Sequence, residues 1–160
     1  MALQIVKKYL NHKVLRQIEK IDDTFYTEDI TGDKWYYDRY KPYHFAYFLL
    51  DDNKIVGYTS AVPIKKELYD ALLNKVMTCD VEINPDMFVE DSDYIYWSSA
   101  LLKDEYRGHG YGSKLTDMMM KDCEGKHICC LTVSPEGKRL AEKYLPNEEQ
   151  INEDVFVLYN

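Results

Sequence analysis

The chain has 160 residues, 46% hydrophobic and 30% charged, which fits one soluble globular domain large enough to bury a core without staples. Its formal net charge of -8 disfavours general nucleic-acid binding, which needs clustered Lys and Arg to displace counterions. The first residues have no basic start with an apolar centre, and no apolar run approaches membrane length, so neither secretion nor a membrane partner is expected.

In chain order, residues 3–8 alternate enough for a first strand. Asn11 then suits the cap of a helix in which Val14, Leu15, Ile18 and Ile21 recur at helical spacing. Residues 22–44 are polar and aromatic, with Tyr26, Trp35, Tyr36, Tyr37, Tyr40 and Tyr43, and predict a short helix over 33–40 that ends before Pro42. Residues 45–50 and 55–62 predict a hairpin around Asp51-Asp52-Asn53-Lys54. Residues 65–76 place Leu68, Leu72, Leu73 and Val76 on one helical face, and the acidic stretch 78–93, with Pro85, predicts a loop. Residues 94–102 are apolar on both faces, as in a central strand.

Further on, Tyr111, Leu115, Met118, Met119 and Cys123 form a helical stripe closed by Gly125. A strand over 127–133 follows. Ser134-Pro135-Glu136 then combines a cap, a first-turn proline and an acid at the positive end of a helix that runs to about Leu145, before Pro146. Residues 155–159 supply a last strand. The order β-α-α-β-β-α-β-α-β-α-β describes an α/β (α+β) single domain spanning 1–160, layered around a mixed sheet.

Between the strand at 94–102 and the next helix lies Arg107-Gly108-His109-Gly110-Tyr111-Gly112-Ser113. Its glycines let a ligand approach the backbone, and unpaired N–H groups at a helix start favour an anion. Loop, helix terminus and arginine together make a pyrophosphate cradle. Two other phosphate motifs are excluded. A P-loop needs Gly, four intervening residues, then Gly-Lys-Ser/Thr, whereas here Ser113 precedes Lys114 and Gly108 stands one residue too close. A dinucleotide fingerprint begun at Gly108 would need glycine at Ser113.

The order strand, Arg-x-x-Gly-x-Gly, helix, flanked by Leu101-Leu102-Lys103-Asp104-Glu105-Tyr106 and by Lys114-Leu115, resembles the coenzyme A-binding motif of the GNAT superfamily of N-acetyltransferases. The element order is similar too, with two departures. A helix and acidic loop at about 65–93 are inserted before the fourth strand, and one strand rather than the usual two is plain after the last helix. The resemblance implies a sheet splayed between strands four and five, with acetyl-CoA as cosubstrate and pantetheine in the gap. It also implies acetyl transfer to a primary amine of a small molecule or peptide by direct attack in a ternary complex. Ala100, Leu101 and Leu102 would offer backbone groups to pantetheine, with the Leu102 amide at the thioester oxygen, where a preset donor stabilises an oxyanion. Arg107, Gly108, His109, Gly110, Tyr111, Gly112 and Ser113 would hold the pyrophosphate, and Ser134 would contact pantetheine. On this reading valine at Gly110 blocks the phosphates while leaving the fold largely intact.

The attacking amine must also lose a proton: a lysine-like amine is neutral about once in a few thousand at pH 7, a deficit of roughly 4–5 kcal/mol. Protein-lysine acetyltransferases of the superfamily place a glutamate where Tyr96 stands, so no acid occupies that position. Glu82, Glu90 and Asp93 in the insertion are the candidates within reach. For the leaving thiolate, many members use a tyrosine on the last helix; its place holds Ala141, and Tyr144, one turn on, is the candidate catalytic acid. These gaps motivate an alternative, a catalytically silent acyl-CoA-binding sensor or interaction module. The aromatic cluster of residues 26–43 falls where the family shapes its acceptor pocket, although core packing and surface tyrosines are the preferred account. Asp80, Glu82, Asp86, Glu90, Asp91 and Asp93 would favour a cationic acceptor if they overhang the thioester. Cys79, Cys123, Cys129 and Cys130 form no C-x-x-C pair, and the four histidines have no zinc-ligand spacing. Reduced thiols, a cytoplasmic location, no metal and a monomer or homodimer are expected.

Overall fold

A computed structural model describes residues 3–9, 43–74, 83–132, 134–150 and 157–160. Its strands are β1 Leu3–Tyr9, β2 Phe45–Asp51, β3 Lys54–Ile64, β4 Tyr94–Leu102, β5 His127–Thr132, β6 Glu148–Gln150 and β7 Val157–Tyr159. They form one sheet in the order β1-β2-β3-β4-β5-β7-β6. Helices α1 Lys66–Leu73, α2 Tyr111–Asp122 and α3 Pro135–Glu142 flank it. The helices expected over 11–21 and 33–40, most of the aromatic cluster, and the acidic residues Asp80 and Glu82 lie outside the described residues.

All strand pairs are antiparallel except β4 with β5. That parallel step follows from the crossover through α2. The β2–β3 hairpin closes where expected, with Asp52 and Asn53 at φ of 47° and 64°, the left-handed pair that matches a two-residue turn to strand twist. β2 and β3 are buried along nearly their whole length, which is why both read as unbroken apolar runs.

One face of the sheet packs Phe45, Tyr47, Ile95 and Trp97 against Leu115 and Met119 of α2 and Ala141 of α3. The other packs Val62, Ile64, Tyr96 and Cys129 around Leu68 and Leu72 of α1, with Ile83 and Phe88. The methionine stripe of α2 is thus core on its inner side. The described part of the acidic stretch, residues 83–93, is a loop held by two local contacts: Phe88 bridges to Ile64, and a 3-10 turn at Pro85–Met87 is capped by the Asn84 side chain.

Two strands follow α3, where the sequence shows one plainly. β6 was hidden because Glu148-Glu149-Gln150 has no apolar alternation; as the outer strand it pairs only with β7, through backbone groups that any side chain permits. Among the described residues no helix is long and apolar enough to cross a membrane.

Candidate active site

Among the described residues β4 and β5 pair only through Tyr94–His127, Ile95–Ile128 and Tyr96–Cys129. Beyond Tyr96 they part, and β4 continues alone beside β3 to Leu102. A bulge marks the parting: Ala61 opposes Trp97 and Ser60 opposes Ser99, leaving Ser98 as the extra residue. Such a bulge increases local twist and turns a strand away from its neighbour. The cleft that opens is lined by Trp97, Ser98, Ser99 and Ala100 on β4 and by Cys130, Leu131 and Thr132 on β5, with Ser134, Gly137, Leu140 and Ala141 forming its third wall.

The ladder decides which backbone groups face that cleft. The amide of Lys103 donates to the carbonyl of Val56 at 2.9 Å, so Lys103 with Val56 is a hydrogen-bonded pair. Antiparallel pairs alternate, so Leu102 with Gly57 and Ala100 with Thr59 are pairs whose backbone groups point away from β3. The Leu102 carbonyl accordingly accepts the Arg107 Nε–H at 3.1 Å. Leu101 falls in the opposite phase, its backbone turned to Tyr58 on β3. Of the three residues expected to offer backbone to a ligand, the alternation turns Ala100 and Leu102 outward.

Beyond the end of β4, before α2, stands the glycine loop. Gly110 caps α2 with φ of 80°, and Gly108 has φ of 77°. A Cβ at either would meet nothing within 4 Å, so the space above the loop is open. Gly110 brings no side-chain acceptor, and the first intrahelical bond is Lys114 N–H to the Gly110 carbonyl at 3.0 Å. The amides of Tyr111, Gly112 and Ser113 precede it. α3 is built differently: Ser134 Oγ accepts the Gly137 amide at 3.0 Å, closing that helix on itself while the residue lines the cleft. An uncapped helix start beside an arginine fits a diphosphate. His109 lies 6.0 Å from the Tyr111 ring, over which Lys114 Nζ stands at 5.7 Å. The positive φ also corrects the expectation for valine at Gly110: a β-branched residue there strains the backbone, so the fold would suffer as well as the cradle.

Tyr144 packs its ring edge-on to Trp97 at 6.4 Å and sends its hydroxyl to α2, where its one proton is shared between Asp117 Oδ1 at 2.6 Å and the Ser113 carbonyl at 3.1 Å. Burial, then the Asp117 carboxylate, push its pKa up to about 12, so it keeps its proton. Cys130 lines the cleft, but burial raises its thiol to about 12, and burial raises that of Cys129 as well. Neither is an activated nucleophile. Tyr96 sits buried at the last paired position of the parting strands. The described end of the acidic segment is anchored at the other end of β4: the Asp93 carbonyl accepts the His127 amide at 2.8 Å, and Asp91 pairs with Lys126 at 3.5 Å.

The sequence reading missed Ser60, Ser98 and Ser99, which meet at the bulge. Their signal was the Ser98-Ser99 doublet, which breaks an otherwise apolar strand at its middle. It also missed Gly57, which the crossing Leu102 side chain requires. Among the described residues no group of His, Cys, Asp and Glu is arranged to hold a metal ion.

The profile described as "Acetyltransferase (GNAT) family" matches residues 14–144. No curated protein sequence matches the chain. Among solved structures, an acetyltransferase from Thermus thermophilus superposes with a TM-score of 0.65 at 10% identity, over 98% of this chain and 95% of that one. NAA60 of Arabidopsis thaliana, in complex with acetyl-CoA, gives 0.63 at 13% identity over 98% and 96%. Naa50 of the same plant, in complex with the bisubstrate analogue CoA-Ac-MVNAL, gives 0.59 at 13% identity over 98% of both chains. These likenesses are of fold.

Proposed function

The chain belongs to the GNAT family of acetyltransferases, enzymes of acetyl transfer from acetyl-CoA, and on that premise we propose that its acceptor is a primary amine, attacked directly in a ternary complex. The observation that carries the reading is the course of β4 past its parting from β5: it ends at Leu102, whose carbonyl accepts from Arg107 and whose side chain lies beside Gly112 at the uncapped start of α2. Acetyl-CoA would supply the activated acetyl thioester.

The chain's own residues divide the remaining work. The amides of Tyr111, Gly112 and Ser113, with those of Gly108, His109 and Gly110 and with Arg107, would hold the diphosphate, while the outward backbone of Ala100 with Ser134 and the α3 wall of the cleft would align pantetheine. The outward amide of Leu102 is the candidate donor for the oxyanion that attack builds, where exclusion of water makes one hydrogen bond count. Tyr144 is the candidate donor to the departing thiolate: it is protonated at working pH and packs on a wall of the cleft. In the structure its proton is held by Asp117 and the Ser113 carbonyl, so donation needs release from that pair. The protonated state of Cys130 supports direct attack over an acyl-cysteine intermediate, since the thiolate is the nucleophile.

Among proteins of similar fold, one was crystallised with the bisubstrate analogue CoA-Ac-MVNAL and another is an aminoglycoside acetyltransferase, which supports a peptide N-terminus or a small polyamine as acceptor. A cationic preference would have to come from residues such as Asp80 and Glu82, outside the described ones, or from the aromatic segment 26–43. The unpaired Cys123, Cys129 and Cys130 suit a reducing, cytoplasmic setting.

Calorimetry with acetyl-CoA and a thiol-release screen over peptides, polyamines and aminoglycosides tests the proposal. Binding with turnover of at least one amine is expected. The engagement of the Tyr144 hydroxyl and the lack of an acid at Tyr96 favour a second reading, a silent acyl-CoA sensor, which tight binding without any turnover would select. Absence of CoA binding would end both.

A further inference from the structure

At the bulge, three serine hydroxyls meet. Ser60 Oγ lies 2.8 Å from Ser98 Oγ and 2.6 Å from Ser99 Oγ, and Ser98 Oγ donates to the Ser60 carbonyl at 3.1 Å. Ser60 is fully buried, while Ser98 and Ser99 are half-buried and line the cleft. The three protons can be placed by counting. A carbonyl only accepts, so the Ser98 proton is committed to it. The Ser60–Ser98 bond must then use the Ser60 proton, and the Ser60–Ser99 bond must use that of Ser99. Every hydroxyl proton is consumed inside the cluster. Ser98 keeps one lone pair and Ser99 two, so these two hydroxyls meet the cleft as acceptors.

Their side of the sheet is also fixed. Ala61 and Trp97 belong to the core beneath α2 and α3, and strand alternation puts Ser60, next to Ala61, on the opposite face. The cofactor cradle is on α2. The hydroxyls therefore meet the cleft from the face of the sheet opposite the cradle, where a second substrate would meet the acetyl group.

We propose that Ser98 and Ser99 seat the incoming amine, their lone pairs accepting its N–H bonds and aiming its nitrogen at the acetyl carbon. This deepens the acetyltransferase reading and rests on it. The serines are positioning residues: their chain of bonds ends on a carbonyl, which cannot carry the proton away, so that proton leaves by another route.

Two analogues test this without knowledge of the natural acceptor. One is CoA alkylated on sulfur with an N-ethylacetamide group, whose amide N–H stands where the amine nitrogen would; the other is the matching ethyl ester, which has no donor there. By calorimetry the wild type should bind the amide about ten-fold more tightly than the ester, the worth of one hydrogen bond to a buried acceptor. Ser99→Ala or Ser98→Ala should erase most of that preference, Ser99→Thr should keep it, and affinity for CoA itself should hold in all three. Equal binding of amide and ester by the wild type, or a preference that survives both alanine variants, overturns the proposal. A loss of CoA affinity in the alanine variants also overturns it, by assigning the lone pairs to an amide of pantetheine. Intact CoA binding with no amide preference fails this inference alone; no CoA binding by the wild type fails the acetyltransferase reading beneath it.

Discussion

Gly57 faces Leu102 across the β3–β4 pair with no space for a methyl group: a Cβ at Gly57 would fall 2.2 Å from Leu102 Cδ2 and 2.9 Å from the Leu101 carbonyl oxygen. Their pair lacks mutual hydrogen bonds, the kind in which side chains approach most closely. Gly57 therefore sets the position of the residue whose amide is the candidate oxyanion donor. Gly57→Ala should destabilise the fold by about 1–3 kcal/mol through overpacking. It should also lower kcat more than it weakens CoA binding. Adding Leu102→Ala should restore stability only in part, because the Leu101 carbonyl remains in the way. A thermal melt of the single and double variants decides this; unchanged stability in Gly57→Ala would show that the strands give way freely.

The loop prediction follows from φ at Gly110. Asn tolerates the left-handed region better than other residues with a Cβ, so Gly110→Asn should stay within roughly 1 kcal/mol of wild type. Its side chain nevertheless enters the open space above the loop, and CoA affinity should fall at least ten-fold. Gly110→Val should lose stability and affinity together. Arg107→Ala should cost about five- to ten-fold in affinity, since the amides remain. Unchanged CoA binding in Gly110→Asn would remove the loop from the cofactor site.

Tyr144→Phe separates chemistry from architecture. If Tyr144 is the acid, kcat should fall by about ten-fold to ten-thousand-fold with CoA affinity nearly unchanged. If its bonds to Ser113 and Asp117 matter more, the melting temperature and CoA affinity should move and kcat should follow them. With its pKa near 12, the hydroxyl remains a donor below that value, so Tyr144 contributes no alkaline loss of rate between pH 7 and 10. A rise of rate with pH in that window would report deprotonation of the amine.

Asp122, at the C-terminal end of α2, predicts a pH dependence of stability. It accepts hydrogen bonds from Tyr47 and from Lys7 Nζ, the latter at 3.1 Å, and these hold its carboxyl below the usual range. A carboxylate with a depressed folded-state pKa contributes stability that is present above its unfolded value, about 4, and lost as pH falls through the folded one. Half-exposure limits the Lys7 pair to about 0–1 kcal/mol. Asp122→Asn should remove this part of the acid dependence below pH 4 and leave the neutral-to-basic side unchanged. Chemical denaturation at pH 7 and pH 3 measures it; an equal pH slope in both proteins would refute the assignment.

The parts of the molecule legible in sequence were those with a strong local signal. The hairpin at Asp52-Asn53, the capped start of α3 and the glycine loop each carry residues chosen for backbone reasons, and each lies where those reasons put it. β6 was illegible because an outer strand needs no apolar face. The serine cluster was half legible: the doublet is visible, but its partner Ser60 lies 38 residues from Ser98, and only the pairing of β3 with β4 joins them. The place of the Tyr144 hydroxyl was not readable either, since its partners belong to another helix.

The parting of β4 from β5 has a mechanical side. Among the described residues only three register pairs stitch β1–β4 to β5, β7 and β6, so the sheet is two leaves on a short seam, with α2 rooted beside one leaf and α3 beside the other. A ligand lodged in the gap touches both leaves and serves as the rungs the ladder lacks. Occupancy should then be written into hydrogen exchange: the amides of β5 along the gap slow when CoA binds, while those of the β2–β3 hairpin, already paired on both sides, change little. The cofactor would act as a clasp, and the empty enzyme would breathe along one line.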